Sequence, residues 1–182
     1  MVTGVGMVAS SLSIASELAS NRPDLVVHAG ISGSYHHSLA VGQPVWIEAE
    51  CFPEMGKEVD GGFLTLDQMG FGLGQIPFHN NSINNPFTAH RFVASWPVVK
   101  GATVNTITTK ANRGDAIHHR FGALTESMEG GAVLAACMGA QVDCLQLRVV
   151  SNYCLPSPDD RWNLTLALEK LGSALHQALA KL

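Results

Sequence analysis

The stretch Pro23-Asp24-Leu25-Val26-Val27-His28-Ala29-Gly30-Ile31-Ser32-Gly33 indicates the class of fold. Its nearly continuous apolar run, from Leu25 to Ala29, is typical of a parallel strand buried on both faces. We expect residues 30–34 to form a small-residue turn after that strand. A helical stretch precedes the run and ends at Asn21-Arg22-Pro23, because proline cannot continue a helix. A helix that leads into a buried strand favours an α/β fold.

The rest of the chain alternates strand-like and helix-like segments. Further strands are predicted at 45–50, 104–109 and 145–150, and helices at 116–121 and 132–138. Residues 51–91 are predicted to be long loops with one short helix. The alternation predicts one domain over residues 1–182, an α/β fold in three layers with a mainly parallel mixed sheet flanked by helices.

A last helix is predicted from its cap and its leucines. Ser157 is a good N-cap, and Pro158 suits the first helical position. The spacing of the leucines predicts that they form the apolar face of this helix, at Leu164, Leu168, Leu171, Leu175, Leu179 and Leu182.

Composition narrows the class of partner. The 182 residues are 46% hydrophobic and carry a formal net charge of −4 without a long basic run, so a nucleic-acid or membrane-surface footprint is not expected. No uninterrupted apolar stretch is long enough for a membrane span. The four cysteines form no C-x-x-C pair, which indicates free thiols and a reducing, cytoplasmic compartment. A small molecule is the expected partner.

The turn Gly4-Val5-Gly6 before the first helix has the form of a dinucleotide-binding turn. Such a site also needs an acidic residue at the far end of the next strand, where it binds the ribose hydroxyls. Here Asp24 precedes that strand, and Ala29-Gly30 stands at its far end. We therefore expect no nicotinamide cofactor, and the sequence predicts no other cofactor.

Four segments together identify a family. They are the glycine turn, residues 23–33, Glu126-Ser127-Met128-Glu129-Gly130-Gly131-Ala132, and Arg148-Val149-Val150-Ser151-Asn152. In order and spacing the chain resembles, over nearly its whole length, the nucleoside phosphorylase and nucleosidase family that includes methylthioadenosine/adenosylhomocysteine nucleosidase. With Arg161-Trp162-Asn163-Leu164, the pattern is most similar to the futalosine hydrolase branch, which serves an alternative menaquinone pathway. The resemblance implies a nucleoside phosphorylase-like fold and hydrolysis of a purine N-ribosyl bond.

The resemblance assigns Glu129 and Met128 to the sugar. A carboxylate at position 129 can accept hydrogen bonds from both ribose hydroxyls and favours the positive charge that develops on the sugar. The alternative for Glu129 is a solvated acid at a helix start, where the helix dipole favours it. Met128 is expected to pack on the ribose, and an ordinary core methionine is the alternative.

Asn152 bears on the leaving base. Nucleosidases for 6-aminopurines in this family carry an aspartate there, whereas an amide can donate to a 6-oxo oxygen and accept from a protonated N7. This difference favours hypoxanthine or guanine, and futalosine carries hypoxanthine. A simple asparagine turn after a strand is the alternative.

The positions beside Gly30 separate hydrolysis from phosphorolysis. Phosphorylases that resemble this chain hold phosphate with an arginine and a serine where His28 and Ile31 stand. Isoleucine offers no hydrogen bond and a neutral histidine little charge, so we expect water as the nucleophile. A phosphorylase of the same fold remains the alternative activity.

Further substrate contacts come from the resemblance alone. It implies that backbone groups of Ser32, Gly33, Thr106 and Ile107 border the purine. A loop that includes Gly72-Leu73-Gly74-Gln75-Ile76-Pro77 resembles one that crosses a dimer to cover the partner's substrate, here through Met69, Phe71 and Pro77. That implies a homodimer or higher homo-oligomer, while a loop packed on its own core is the alternative.

Two histidine pairs are considered as a metal site, and one arginine as a partner in an ion pair. His36-His37 and His118-His119 lack the spacing of a metal site, and we expect no metal. Arg148, on a buried strand, is expected to pair with an acid such as Glu126.

The resemblance also implies that an N-terminal strand region is missing. Family members begin with a further stretch that supplies a first strand and the glutamate that activates water, and Glu17 is no substitute for that glutamate. Loss of a strand would expose apolar sheet edges and favour association. A shortened, non-catalytic nucleoside-binding protein is therefore a further alternative.

Overall fold

The computed structural model describes residues 1–87, 95–154 and 162–182. Its helices are α1 (Met7–Ser20), α2 (Ala111–Phe121), α3 (Gly130–Ala140) and α4 (Leu164–Leu179), with a 3-10 turn at Asp67–Met69. Its strands are β1 (Leu25–Ser34), β2 (Pro44–Cys51), β3 (Gly56–Val59), β4 (Gly62–Thr65), β5 (Ser82–Asn84), β6 (Val98–Thr103), β7 (Thr125–Ser127) and β8 (Asp143–Tyr153). No helix in these ranges is long and apolar enough to cross a membrane.

The main sheet is mixed and curls on itself. Its strand order is β5-β2-β6-β7-β1-β8, and β2 also pairs with β8. The pairs β1–β8, β2–β6 and β6–β7 are parallel, while β1–β7, β2–β5 and β2–β8 are antiparallel. Strands β3 and β4 form a separate hairpin. The expected α/β fold with a mixed sheet flanked by helices is confirmed.

The helices cover the sheet through apolar clusters. Helices α1 and α3 share one cluster through Ile14, Leu18 and Leu134. Helix α2 places Ile117 and Phe121 in a second. The first cluster packs α1 against α3 and so keeps the glycine turn before α1 close to the start of α3.

The predicted strand at 104–109 is wrong, since β6 ends at Thr103. Beyond it, the backbone N–H of Asn105 donates to the Glu54 carboxylate, and that of Thr108 donates to the Glu126 carboxylate. Side-chain acceptors thus take the place of a neighbouring strand. The alternating β-branched residues suited a strand by propensity, but tertiary contacts decide their conformation.

The predicted turn at 30–34 is also wrong, because β1 continues through Ser34. Gly30 serves close packing instead: a Cβ at this position would collide with the Arg148 guanidinium. A glycine inside a strand often marks such an approach.

The segment 51–91 contains more regular structure than the predicted loops, within its described residues. The β3–β4 hairpin, the 3-10 turn and β5 all lie there. Asn81 organises this region from within: its side chain accepts from Leu66 N at 2.9 Å and donates to Phe52 O at 3.0 Å.

The predicted apolar face of the last helix is largely wrong. The buried residues of α4 are Ala167, Ala174 and Ala178, which lie close to the sheet. Leu171 and Leu175 pack at the margin of that contact, while Leu164, Leu168, Leu179 and Leu182 are exposed. Small residues allow the helix to approach the sheet, so the contact stripe centres on alanine. The helix begins after Asn163, which accepts from Leu166 N at 3.1 Å; the proposed cap, Ser157, lies outside the described residues.

One edge of β1 lacks a neighbour in the described part of the chain. Strand β1 pairs with β8 along its length but with β7 only at Gly33 and Ser34. Val8 and Leu12 of α1 are exposed apolar side chains.

Candidate active site

A cavity of about 170 Å³ lies where β1 and β8 end. In parallel sheets, ligands bind at the carboxyl ends of the strands. Six residues singled out from the sequence line this cavity: Ser32, Gly33, Ile107, Met128, Glu129 and Asn152. Its remaining lining residues, which were not predicted to contact the substrate, are Val5, Ile31, Val104, Glu126, Ser127, Ser151 and Trp162.

The glycine turn at the start of the chain holds Glu129. The Gly6 backbone N–H donates to Oε1 of Glu129 at 2.9 Å, and Met128 N–H donates to Oε2 at 3.3 Å. Gly6 has φ +90°, a conformation that favours glycine, and it caps α1. The carboxylate therefore faces the positive end of a helix dipole. Two accepted hydrogen bonds leave further lone pairs for a ligand.

Asn152 enters the cavity through a β-bulge. In the parallel pair of β1 and β8, Ser32 is opposite Val150 but Gly33 is opposite Asn152, so Ser151 is the extra residue. A bulge redirects the side chains beside it. The side chain of Asn152 lies over Gly33, where a Cβ would stand 3.4 Å from Nδ2. Ser32 Oγ is buried in the cavity wall without a protein partner in the described structure.

Glu126 fixes the loop that follows β6. Its Oε2 accepts from the Tyr35 hydroxyl at 2.7 Å, and its Oε1 accepts from Thr108 N–H at 2.8 Å. Burial, followed by the charge of Glu126, raises the pKa of Tyr35, so the phenol remains a donor. This carboxylate holds the loop that brings Ile107 to the cavity.

The expected pairing of Arg148 with Glu126 is wrong. The Nη2 atom of Arg148 lies 3.2 Å from Nε2 of His28. Burial, and then the Arg148 charge, hold the pKa of His28 well below its ordinary value, so the imidazole is neutral. The carboxylates whose charges act on the Arg148 guanidinium are Glu50 and Glu129.

Glu50 is a buried carboxylate that the sequence analysis missed. Its Oε2 accepts from the Thr103 hydroxyl at 2.9 Å, and its Oε1 accepts from the Gln146 side-chain amide. Burial raises the pKa of Glu50 to about 7, and the Arg148 charge opposes that rise. The available signal was an acid at an inward position of the apolar strand 45–50.

The other candidates lie away from this cavity. The Thr106 carbonyl accepts from the Arg113 guanidinium at 3.2 Å, and the residue is not part of the cavity wall. Phe71 is 65% exposed, Met69 ends the 3-10 turn, and Pro77 lines a separate cavity of about 640 Å³. In the described ranges no three His, Cys, Asp or Glu side chains are grouped to hold a metal.

Comparisons with known proteins identify the family of this chain. The model of the phosphorylase superfamily matches residues 1–181. A futalosine hydrolase of Streptomyces coelicolor is 34% identical over 160 residues, which span 85% of this chain but only 65% of that relative. A futalosine hydrolase of Acidothermus cellulolyticus is 32% identical over 181 residues, covering 96% of this chain and 72% of the relative.

Solved structures share the fold. The native futalosine hydrolase of Helicobacter pylori superposes with a TM-score of 0.79 at 18% identity, covering 99% of this chain and 78% of that one. A 5′-methylthioadenosine/S-adenosylhomocysteine nucleosidase of Colwellia psychrerythraea, in complex with adenine, gives 0.79 at 22% identity, covering 99% and 76%. With the family match over almost every residue, these findings show that the chain belongs to the phosphorylase superfamily.

Proposed function

We propose that this chain is a purine N-ribosyl hydrolase of the futalosine hydrolase type, which releases hypoxanthine and would serve menaquinone biosynthesis. The observation that carries the proposal is the meeting of Glu129 and Asn152 at one cavity. Cleavage of an N-glycosidic bond creates positive charge on the sugar and negative charge on the base, so a site needs one group for each. The curated relatives named futalosine hydrolase support this substrate.

In the proposed reaction, the bond between the sugar and the purine breaks with its electron pair going to the base. Glu129 accepts hydrogen bonds from the ribose hydroxyls and stabilises the cationic sugar. Asn152 stabilises the base as it leaves. Water adds to the anomeric carbon, and its proton balances the charge of the departing hypoxanthine. Met128 and Ile107 provide the apolar surface around the substrate.

Water is the proposed nucleophile because the residues near Gly30 do not suit phosphate. Ile31 lines the cavity without offering a hydrogen bond. His28 is 9% exposed and neutral, and its ring faces Arg148 rather than open space. Phosphate binding favours charged donors such as an exposed arginine fork.

We further propose a cytoplasmic homodimer. The four cysteines are free and buried, which suits a reducing compartment. The loop with Met69 and Phe71 lies outside the cavity of its own chain, as a loop that covers a partner's substrate would.

The variant Asn152→Asp tests the role given to the amide. An ionised carboxylate accepts from a 6-amino group and repels a 6-oxo oxygen, so the variant should lose activity on hypoxanthine nucleosides and gain it on adenine nucleosides. The measurement is kcat/KM for inosine and adenosine, which share the ribose and differ in the substituent at C6 and in the hydrogen on N1. An unchanged ratio of the two values would refute base recognition by residue 152.

A further inference from the structure

Ser151, the extra residue of the bulge, contacts the amide of its neighbour Asn152. Its side chain is 1% exposed, and its Oγ lies 2.8 Å from Oδ1 of Asn152 and 3.1 Å from the backbone oxygen of Ser32. Its own backbone oxygen accepts from Asn163 N–H at 2.9 Å, which ties the bulge to the cap of α4. Ser151 therefore stands at a fixed position beside the amide.

A hydroxyl has a single hydrogen, whereas two oxygens surround this one. The shorter contact is the one to Asn152 Oδ1. The Nδ2 atom of Asn152 has Tyr153 O as its protein partner at 3.4 Å, a long distance for a hydrogen bond. The oxygen end of the amide is thus engaged by the protein, while its N–H groups retain donor capacity.

Building on the proposed function, we infer that Ser151 is a positioning residue that selects 6-oxopurines. By donating to one lone pair of Oδ1, it fixes the Asn152 amide with the NH₂ group directed at the 6-position of the base. The Ser151 hydroxyl thereby determines whether the NH₂ group or the oxygen of the Asn152 amide contacts the 6-position of the base.

The consequence for the base follows from donor and acceptor types. The O6 and N7 atoms of a hypoxanthine nucleoside only accept hydrogen bonds, so an N–H from Asn152 suits either. The 6-amino group of adenine also donates hydrogen bonds, so its N–H groups would face the N–H groups of the Asn152 amide without an acceptor between them. A buried polar group without a partner weakens binding strongly, so the fixed amide should discriminate against adenine.

The test compares Ser151→Ala with the wild type, using inosine and adenosine for turnover and hypoxanthine and adenine for binding by calorimetry. Without the hydroxyl, the amide can rotate and present Oδ1 to a 6-amino group. We expect the preference for the 6-oxo member of each pair to fall at least about tenfold. Ser151→Cys, with a weak donor of similar size, should cause a smaller fall and guards against misfolding of the alanine variant.

Ser173→Ala is the matched control, because this exposed serine of α4 donates to the Glu169 carbonyl of its own helix. It should leave both preferences unchanged. If Ser151→Ala and Ser151→Cys fold and keep the wild-type preference, the inference is refuted, whether or not the enzyme hydrolyses its substrates.

The two proposals can fail separately. A wild-type protein that prefers hypoxanthine in binding, loses that preference in Ser151→Ala and hydrolyses nothing would support the positioning role and refute the hydrolase. Normal hydrolysis by the wild type, together with an unaltered base preference in Ser151→Ala, would support the hydrolase and refute the positioning role. A wild type without any preference between the two bases would contradict both.

Discussion

The backbone N–H of Gly6 donates a hydrogen bond to the carboxylate of Glu129 at 2.9 Å, although 123 positions separate the two residues. The glycine turn at the beginning of the chain therefore contributes to the site by anchoring a carboxylate. Because Gly6 also caps α1, the negative charge lies at the end of a helix where the dipole is favourable. The site thus brings together two distant parts of the chain, the turn before α1 and the start of α3.

Replacing this carboxylate should abolish most of the activity. In Glu129→Gln, a neutral amide replaces the charge that stabilises the sugar, and its NH₂ group opposes either Gly6 N–H or a ribose hydroxyl. We expect kcat to fall about 10²- to 10³-fold, as for loss of one preorganised electrostatic group. The matched control is Glu58→Gln on the exposed strand β3, which should retain activity. A fully active Glu129→Gln variant would show that the carboxylate merely anchors the start of α1.

The buried carboxylate of Glu50 should make stability depend on pH. Burial raises its pKa from 4.5 to about 7. Between pH 4.5 and pH 7, Glu50 therefore stays protonated in the folded protein but is ionised in the unfolded chain. The contribution of Glu50 is complete below pH 4.5, decreases as the pH rises and is lost above about pH 7. The shift corresponds to a change on the order of 3 kcal/mol in the free energy of unfolding.

Urea unfolding of Glu50→Gln between pH 4.5 and 8 measures this effect. The variant lacks the titrating group, so its free energy of unfolding should rise relative to the wild type across that interval. Glu58→Gln again serves as the control, because that side chain is exposed. Parallel pH profiles for the wild type and Glu50→Gln would rule out the raised pKa.

Much of this fold could be predicted from local signals. The helix after the glycine turn ends before Pro23, and β1 starts at Leu25, because proline and a continuous apolar run act locally. The loop after β6 could not be predicted, since its conformation depends on the distant carboxylates of Glu54 and Glu126. The same holds for Gly30, whose role is set by Arg148 on a neighbouring strand.

Site residues could be predicted where they stand in a sequence motif. Those that tertiary packing alone brings to the site could not. Glu129 and Asn152 stand in segments that resemble a family, so their meeting at one cavity could be expected. Val104 also lines this cavity, but it stands outside those segments. Glu50 and its partners lie on different strands, and no spacing in the sequence brings them together.

Mixing two inactive variants tests the proposed dimer. Phe71 is exposed and outside the cavity of its own chain, so Phe71→Ala should lose activity only if the residue acts across an interface. Co-expression of Phe71→Ala with Glu129→Gln should then restore activity, because one site of the mixed dimer combines an intact Glu129 with the partner's intact Phe71. Full activity of Phe71→Ala alone would exclude this role for the loop.

The most direct test of the account is chromatographic detection of free base after incubation of the purified protein with futalosine, inosine and methylthioadenosine, each with and without phosphate. Release of hypoxanthine from futalosine, independent of phosphate and without release of adenine from methylthioadenosine, is the predicted result. A strict requirement for phosphate, or no free base from any of the three nucleosides, would contradict it.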